Sequence, residues 1–326
     1  MVHSSPANAQ TNQLDQLRAM SVVVADTGDI DSIRKFKPQD CTTNPSLILK
    51  ASLQPEYAYL VDEAVNWASK QGGTPDAVVA AACERIAVNF GEQLLKIVPG
   101  RISTEVDADL SFDIEKSLIQ ARAIIAEYAR RGIGRERVLV KLAATWEGIK
   151  AAEILEKEQI NCNLTLIFSF AQAVACAEAG AYLISPFVGR VLDWHVKSTG
   201  QTYTAETNPG VISVRKIFAH YKTYGFKTIV MGASFRSIGE IGAIAGCDRL
   251  TIGTQLLEQL TQETAPLKLQ LDASMYKPVP RLAPLTEPAF RFSHNEDAMA
   301  TEKLAEGIRQ FAADLGKMRG MIRARL

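Results

Sequence analysis

The chain has 326 residues, of which 36 are basic, 36 are acidic and 47% are apolar, so its formal net charge is zero. This balance is typical of a globular protein, and it argues against wholesale disorder and against a nucleic-acid partner bound through neutralised phosphates. Because no apolar run approaches the ~18 residues that span a bilayer and the N-terminal segment is polar, we expect a cytoplasmic protein with no membrane partner.

Short β-branched runs alternate with helical periodicity along most of the chain. They predict eight strands, at residues 21–25, 40–43, 101–106, 137–142, 161–166, 182–187, 227–233 and 249–252. The periodicity also predicts two or three helices within 46–98, single helices at 112–131 and 146–158, and a terminal helix over about 296–325 that packs on the outside.

Strands that alternate with helices imply right-handed βαβ units and a parallel sheet. Eight such units predict an α/β fold, a single (β/α)8 barrel of the TIM type with extra helices. A doubly wound open sheet is the main alternative, although no Gly-x-Gly-x-x-Gly motif follows the first strand. Residues 1–12 are predicted to be a disordered arm and 13–326 a single domain, in which 198–210 and 272–288 are surface loops.

The cysteines and histidines do not have the spacing of metal ligands. The cysteine count is odd, no Cys-x-x-Cys motif occurs, and no two histidines are four residues apart. We therefore expect reduced thiols, no metal and no cofactor. The five cysteines are Cys41, Cys83, Cys162, Cys176 and Cys247.

Polar side chains gather near the carboxyl ends of the predicted strands, on the faces set by the two-residue alternation. In a barrel, that end carries the active site. Because buried polar groups cost free energy unless they are paired, a polar cluster there indicates a functional site. The side chains predicted to line the mouth are Asp26, Asn44, Glu105, Lys141, Asn163, Thr165, Ser185 and Ser234.

Lys141 lies within the apolar strand segment VLVKLAA. One interpretation is a structural ion pair with Glu105 or Asp107. The other is an amine nucleophile, because desolvation disfavours the ammonium form and lowers a lysine pKa from its usual value of about 10.4. A neutral amine attacks a ketone and forms a Schiff base. Asp26 and Glu105 are then candidate proton carriers, and Asp107 is a structural partner.

The seventh strand runs into the segment ASFRSIGE, in which Ser237 and Glu240 have the spacing of a capping box. A helix that begins there, with Ser234 and Arg236 beside its N-terminus, predicts an anion site. Arg190 is the candidate for a second phosphate-binding arginine. The alternative for each arginine is a surface ion pair.

Five segments are most distinctive when they are taken together: CTTNPSL at 41–47, GRISTEV at 100–106, VKLAATWEG at 140–148, NCNLTL at 161–166 and ISPFVGR at 184–190. With them the chain resembles the transaldolase family, in its long, dimer-forming type within the Schiff-base-forming aldolases. The resemblance runs from about residue 13 to the C-terminus. Cys41 and Ala144 depart from the alanine and serine expected at those positions, but neither is a proposed catalytic group.

The resemblance implies transfer of a dihydroxyacetone unit from sedoheptulose 7-phosphate to glyceraldehyde 3-phosphate, giving erythrose 4-phosphate and fructose 6-phosphate. This is a reaction of the non-oxidative pentose phosphate pathway. The resemblance also implies sugar-phosphate substrates, no cofactor and a homodimer.

The motifs assign a role to each matching position. Lys141 matches the Schiff-base lysine, Asp26 the base at the C4 hydroxyl, and Glu105 the proton carrier that acts through a water held by Thr165. The substrate-binding positions are Asn44, Asn163 and Ser185 with Thr42 in support for the three-carbon unit, Phe187 for an aromatic wall, and Arg190, Ser234 and Arg236 for the phosphate.

Two other functions remain open at this point. A Schiff-base aldolase would release dihydroxyacetone as the free ketone, and Phe187, which has no hydroxyl to position a protonating water, favours transfer instead. A non-catalytic sugar-phosphate-binding barrel would keep Arg190 and Arg236, but it would not need Lys141, Asp26 and Glu105 together.

Overall fold

The computed structural model describes residues 11–326, and its eight strands form a closed barrel. Every strand is parallel to its neighbours, and the eighth strand pairs with the first. The predicted (β/α)8 architecture is therefore confirmed, and the open sheet is excluded. The strands are β1 (Val22–Asp26), β2 (Asp40–Thr42), β3 (Ile102–Glu105), β4 (Val138–Ala143), β5 (Cys162–Ile167), β6 (Leu183–Pro186), β7 (Ile229–Gly232) and β8 (Arg249–Ile252).

The helices surround the barrel, with several between β2 and β3 and two after β8 and its following helix. Predicted and observed ends differ by at most two residues in the two single helices near the middle of the chain. The helices are α1 (Gln13–Arg18), α2 (Ile30–Phe36), α3 (Pro45–Ser52), α4 (Ala58–Gln71), α5 (Pro75–Leu95), α6 (Ile114–Arg130), α7 (Trp146–Lys157), α8 (Phe170–Glu178), α9 (Gly189–Thr199), α10 (Pro209–Thr223), α11 (Ile238–Ala243), α12 (Thr254–Gln262), α13 (Glu287–Glu296) and α14 (Ala298–Arg323).

Short connections lead from strand to helix because capping residues stand directly after the strands. Asn44 Oδ1 accepts a hydrogen bond from the Leu47 amide at 2.9 Å, and Pro45 provides a first helical residue that needs no donor. Thr145 Oγ1 accepts from the Gly148 amide at 2.9 Å and begins α7. Each cap fixes the chain within two or three residues of the barrel mouth, which keeps the loop side chains close to the site.

The two predicted surface loops are largely irregular, but helices extend into both. Helix α9 continues through Thr199 and ends at Gly200, whose φ of +68° suits a residue without a Cβ atom. The 272–288 segment holds one turn of 3-10 helix at Ala273–Met275, and α13 begins at its end. Of the predicted N-terminal arm, residues 1–10 lie outside the described part, while Asn12 caps α1.

Apolar side chains fill the barrel below the mouth and the layer between the strands and the helices. Val24, Leu139, Leu183 and Met231 form a separate cluster inside the barrel, each no more than 3% exposed. This packed interior closes the barrel beneath the site, so the polar groups above it are approached from the mouth alone.

Helix α14 is the predicted terminal helix, and it packs outside the barrel wall. It contacts α3, α5, α9 and the end of β5, all on the side of the carboxyl ends of the strands. Across residues 11–326, none of the helices combines the length and the apolar character that a membrane crossing requires.

Candidate active site

The carboxyl ends of the strands surround a cavity of about 260 Å³. Glu105 and Asn163 do not line it themselves, but they contact Lys141 and Ser185, which do. The other predicted residues are brought together at its wall. They are Asp26, Thr42, Asn44, Lys141, Thr165, Ser185, Phe187, Arg190, Ser234 and Arg236.

Lys141 is buried at the floor of the cavity, with its side chain 6% exposed. Its Nζ donates a hydrogen bond to the Thr43 carbonyl at 2.9 Å and lies 3.0 Å from Glu105 Oε2. The strand register explains this contact, because Lys141 of β4 is directly opposite Glu105 of β3. Asp107 pairs instead with Arg319 at 2.8 Å, as expected of a structural partner.

The contact with Glu105 is compatible with both interpretations of Lys141. An ammonium group beside a carboxylate is an ion pair, and transfer of one proton between them yields a neutral amine next to a carboxylic acid. Burial raises the pKa of Glu105, while the charge of Lys141 opposes that change. A carboxyl group with a raised pKa is suited to carry a proton near neutral pH.

Thr165 lies on the neighbouring strand and lines the same cavity. Its Oγ1 is buried and has no hydrogen-bond partner among residues 11–326. A buried hydroxyl without a partner is uncommon, and it marks a position at which a polar atom of a ligand is favourably bound.

Asp26 ends β1 and faces the cavity from the other side. Thr42 Oγ1 donates to Asp26 Oδ1 at 2.8 Å, and it also lies 2.7 Å from Thr251 Oγ1. Because the one hydroxyl proton of Thr42 goes to Asp26, Thr251 donates to Thr42. Burial raises the pKa of Asp26, and the charge of Lys141 acts in the opposite direction. This carboxylate is thus fixed in position and suited to accept a proton.

The amide and hydroxyl groups predicted to hold the substrate differ in how they face the cavity. Asn44 uses Oδ1 to cap α3, which leaves its amide nitrogen for the cavity that it lines. Ser185 Oγ donates to Asn163 Oδ1 at 2.7 Å, and Asn163 Nδ2 donates to Ser103 Oγ at 3.1 Å. Asn163 therefore holds Ser185 without lining the cavity itself.

Two arginines line the outer part of the cavity. The guanidinium carbon of Arg190 is 5.1 Å from the ring centre of Phe187, which also lines the cavity. Arg236 pairs with Asp193 at 2.6 Å and lies 3.4 Å from Ser234 Oγ. Burial and the nearby charge of Arg236 lower the pKa of Arg190. Two mutually repelling cations in one cavity favour a dianion between them.

The loop after β7 also carries local strain. Ser234 has a φ of +60°, which is uncommon outside glycine, and its carbonyl accepts a hydrogen bond from the Gly189 amide at 2.6 Å. A Cβ atom on Gly189 would come within 2.4 Å of that carbonyl. Gly189 therefore allows the start of α9, with Arg190, to approach Arg236.

The helix N-terminus proposed as part of the anion site does not serve that purpose. Ser237 Oγ accepts from the Glu240 amide at 3.3 Å, as the capping pattern predicts, but Glu240 accepts from the Arg236 amide at 2.6 Å rather than from Ser237. A carboxylate thus already occupies this position, and α11 has only six residues. The candidate anion site is therefore limited to the arginine side chains and Ser234.

Some cavity residues were not predicted from the sequence. Thr251 shares a face of β8 with Arg249, so the two-residue alternation that directs Lys141 and Asp26 to the mouth is a signal that could have found it. Phe311 comes from α14, 170 residues after Lys141 along the chain, and no local pattern places it here. Phe235, Gln255 and Leu256 complete this group.

The remaining candidate groups lie outside the cavity. All five cysteines are buried as free thiols, and burial raises the pKa of Cys41 far above its usual range, so its replacement of alanine introduces no reactive thiolate. Within the described residues, no three His, Cys, Asp or Glu side chains converge as a metal site would require.

A buried lysine beside one carboxylate, in a cavity that a second carboxylate lines at the carboxyl end of a (β/α)8 barrel, is the arrangement expected of one class of enzymes, those that activate a carbonyl substrate through a lysine imine. The model of the transaldolase/fructose-6-phosphate aldolase family matches residues 23–322. The chain therefore belongs to this family.

Curated relatives named transaldolase match almost the full length of the chain. The protein of Agrobacterium fabrum is 61% identical over 97% of this chain and 98% of its own length. That of Rhizobium leguminosarum bv. trifolii is 60% identical over the same shares. That of Marinomonas sp. is 60% identical over 97% of this chain and 100% of its own.

Proposed function

We propose that this chain is a transaldolase that transfers a dihydroxyacetone unit from sedoheptulose 7-phosphate to glyceraldehyde 3-phosphate through an imine on Lys141. The observation that carries the proposal is the position of Lys141, buried 3.0 Å from Glu105 at the floor of a cavity that Asp26 also lines. The products are erythrose 4-phosphate and fructose 6-phosphate, as in the non-oxidative pentose phosphate pathway.

The first stage forms the imine. The neutral amine of Lys141 adds to the C2 carbonyl of the ketose, and the resulting carbinolamine loses its hydroxyl as water, leaving an iminium. Glu105 supplies the proton for that departure through a water held by Thr165. The unpartnered Thr165 Oγ1 and the raised pKa of Glu105 support this assignment.

The second stage breaks the carbon–carbon bond. Asp26 takes the proton of the C4 hydroxyl, the C3–C4 bond breaks, and its electron pair moves into the iminium to give an enamine. The aldehyde fragment leaves with C4 as its carbonyl carbon. The enamine then attacks the carbonyl carbon of the incoming aldehyde, Asp26 returns its proton to the new hydroxyl, and water releases the ketose from Lys141.

Polar groups around the three-carbon unit supply the contacts that hold it. The Asn44 amide and the Ser185 hydroxyl contact its hydroxyl groups, and Asn163 fixes Ser185 through the 2.7 Å hydrogen bond. Thr42 supports the site through Asp26. Phe187 provides the aromatic wall, and Arg190, Ser234 and Arg236 hold the terminal phosphate.

Transfer is preferred here over release of free dihydroxyacetone. The relatives that are about 60% identical carry the name transaldolase, which supports the transferase over the aldolase also named in the family. The deciding experiment is incubation with fructose 6-phosphate and borohydride, which reduces an imine to a stable adduct. A binding protein without catalysis would give no adduct, and an aldolase would accumulate dihydroxyacetone without any acceptor.

Arg236→Ala should weaken phosphorylated substrates much more than dihydroxyacetone or another unphosphorylated donor. A charge-assisted arginine contact contributes roughly 1.5–3 kcal/mol, so we expect KM for fructose 6-phosphate to rise about 10- to 100-fold. Arg291 of α13, which pairs with Glu147 of α7 at 2.6 Å, is a control arginine away from the cavity. Arg291→Ala should leave KM unchanged, and equal losses for both substrate types in Arg236→Ala would contradict the assignment.

Prolonged treatment with a chelator should leave the turnover rate unchanged. The iminium already provides the electron sink that a metal would supply in a metal-dependent aldolase. Activity would be followed before and after dialysis against the chelator. A loss that a divalent cation restores would contradict the proposed mechanism.

A cytoplasmic homodimer is the expected form of the enzyme. The five free, buried thiols support a reducing compartment, and the dimer follows from the resemblance to the long type of transaldolase. Light scattering that gives the mass of one chain at micromolar concentration would contradict the dimer.

A further inference from the structure

One face of α14 is directed at the barrel mouth and carries a ring into the cavity. Leu304, Ile308 and Phe311 belong to one buried cluster with Phe187 and other side chains of the mouth. Phe311 is 1% exposed and lines the cavity. The Lys141 Nζ atom lies 6.0 Å from the centre of the Phe311 ring.

The Phe311 ring also closes the space around Arg190. The guanidinium carbon of Arg190 is 5.6 Å from the ring centre of Phe311 and 5.1 Å from that of Phe187. The edge of Phe168 packs on Phe187 with ring centres 5.4 Å apart. These aromatic rings form an apolar wall between Arg190 and Lys141. Phe311 is the ring of this wall that lies beside the Lys141 nitrogen.

Backbone features bring α14 close enough for this contact. Gly307 lies against the end of β5, where an added Cβ atom would come within 2.8 Å of Leu166 Cδ2. Leu166 itself has a φ of +58°, and the pairing of β5 with β6 shifts register between Leu164 and Ile167. The irregular strand end and the missing side chain on the helix together allow the close approach.

Polar contacts on the C-terminal side of Phe311 hold α14 in place. Asp314 accepts hydrogen bonds from Ser46 Oγ at 2.5 Å and from Gln310 at 3.0 Å. Arg319 pairs with Asp107 and Asp109 at 2.8 and 2.7 Å. Because these contacts join α14 to the start of α3 and to the loop after β3, Phe311 is a fixed part of the site.

We propose that Phe311 determines the reaction outcome by keeping the water that would protonate C3 away from the dihydroxyacetone enamine on Lys141. This inference rests on the proposed function. The competing reaction consumes one water: C3 of the enamine takes a proton, water adds to C2, and the C2–N bond breaks to give dihydroxyacetone and the free amine. A ring 6.0 Å from Nζ occupies space from which water would reach C3.

Phe311→Ala tests the proposal with fructose 6-phosphate as donor and no added acceptor. A coupled reductase removes glyceraldehyde 3-phosphate, so that it cannot react again with the enamine. The unaltered enzyme should release one equivalent per site and then proceed slowly. In Phe311→Ala, we expect the rate of the slow phase to increase about tenfold or more because water gains access to the reacting atoms. The rate at which free dihydroxyacetone is formed should increase by the same factor.

Two further variants separate water exclusion from loss of stability. Phe290 of α13 is 3% exposed and packs on Trp146, away from the cavity, so Phe290→Ala removes an equivalent buried ring. Phe290→Ala should lower the melting temperature without changing the ratio of hydrolysis to transfer. Phe311→Leu, which keeps part of the apolar volume, should give an intermediate ratio. An unchanged ratio in folded Phe311→Ala and Phe311→Leu would overturn the proposal.

Borohydride trapping distinguishes failure of this inference from failure of the proposed function. If Lys141 forms the imine, the Phe311 variants should still yield the adduct on Lys141 with fructose 6-phosphate. If the Phe311 variants form the adduct but keep the ratio of hydrolysis to transfer of the unaltered enzyme, only the role of Phe311 is refuted. Absence of the adduct in the unaltered enzyme removes the proposed function, and this inference with it.

Discussion

Lys141→Arg should have no detectable transaldolase activity. A guanidinium has no accessible neutral form at working pH and cannot add to the C2 carbonyl, although it keeps the positive charge beside Glu105. Incubation of the unaltered enzyme with fructose 6-phosphate and borohydride should add mass to the peptide containing Lys141. The Lys141→Arg variant should show no added mass on any peptide.

Lys222 provides the matched control for this substitution. It is also largely buried and ion-paired, with Nζ 2.7 Å from Asp248, but it does not line the cavity. Lys222→Arg keeps that ion pair and should retain activity and adduct formation. An adduct on a lysine other than Lys141, in an active enzyme, would refute the assignment of the nucleophile.

Asp26→Asn and Glu105→Gln should interrupt the reaction at different steps. Without its base, Asp26→Asn should still form the trappable imine but release glyceraldehyde 3-phosphate about 10²- to 10⁴-fold more slowly, the usual contribution of general base catalysis. Glu105→Gln should slow the formation of the adduct itself, because loss of water from the carbinolamine precedes cleavage. Rapid-quench trapping of both variants measures the two steps. The reverse pattern would mean that the two roles are exchanged.

The same substitution of Asp26 should affect stability in a direction set by its pKa. Burial raises this pKa, so the folded protein binds the proton more tightly than the unfolded chain does. The contribution of Asp26 to stability therefore falls as pH rises from its unfolded pKa through its folded pKa. Asn keeps the acceptor for Thr42 without the charge, and Asp26→Asn should melt at a higher temperature near neutral pH. A lower melting temperature would indicate that the attraction to Lys141 outweighs burial.

Much of the site follows from the two-residue alternation of side chains along regular strands. Lys141 and Asp26 lie in continuous apolar strands, so a correct strand assignment was enough to direct both to the mouth. The hydrogen bond from Ser185 to Asn163, by contrast, depends on the pairing of neighbouring strands and on the irregular end of β5. A strand pattern cannot show that Asn163 lies outside the cavity lining and acts on Ser185.

The capping pattern after β7 shows the limit of a local motif. Ser237 begins α11 as predicted, but the Glu240 carboxylate is drawn to the Arg236 amide and to Asn208 Nδ2, which lies 3.0 Å away. Asn208 comes from the segment before α10 and competes for the carboxylate only in the folded chain. The motif therefore predicted the helix start correctly, while the anion site stays a prediction.

The barrel, the family and the residue types at the mouth could be predicted from the sequence, because these depend on periodicity and short motifs that act over a few residues. The tertiary structure alone decided that Lys141 pairs with Glu105 rather than Asp107, and that Phe311 covers the lysine. Those contacts depend on strand register and on the docking of α14, which Gly307 and Leu166 permit. Packing between segments so far apart along the chain leaves no periodic signal in either of them.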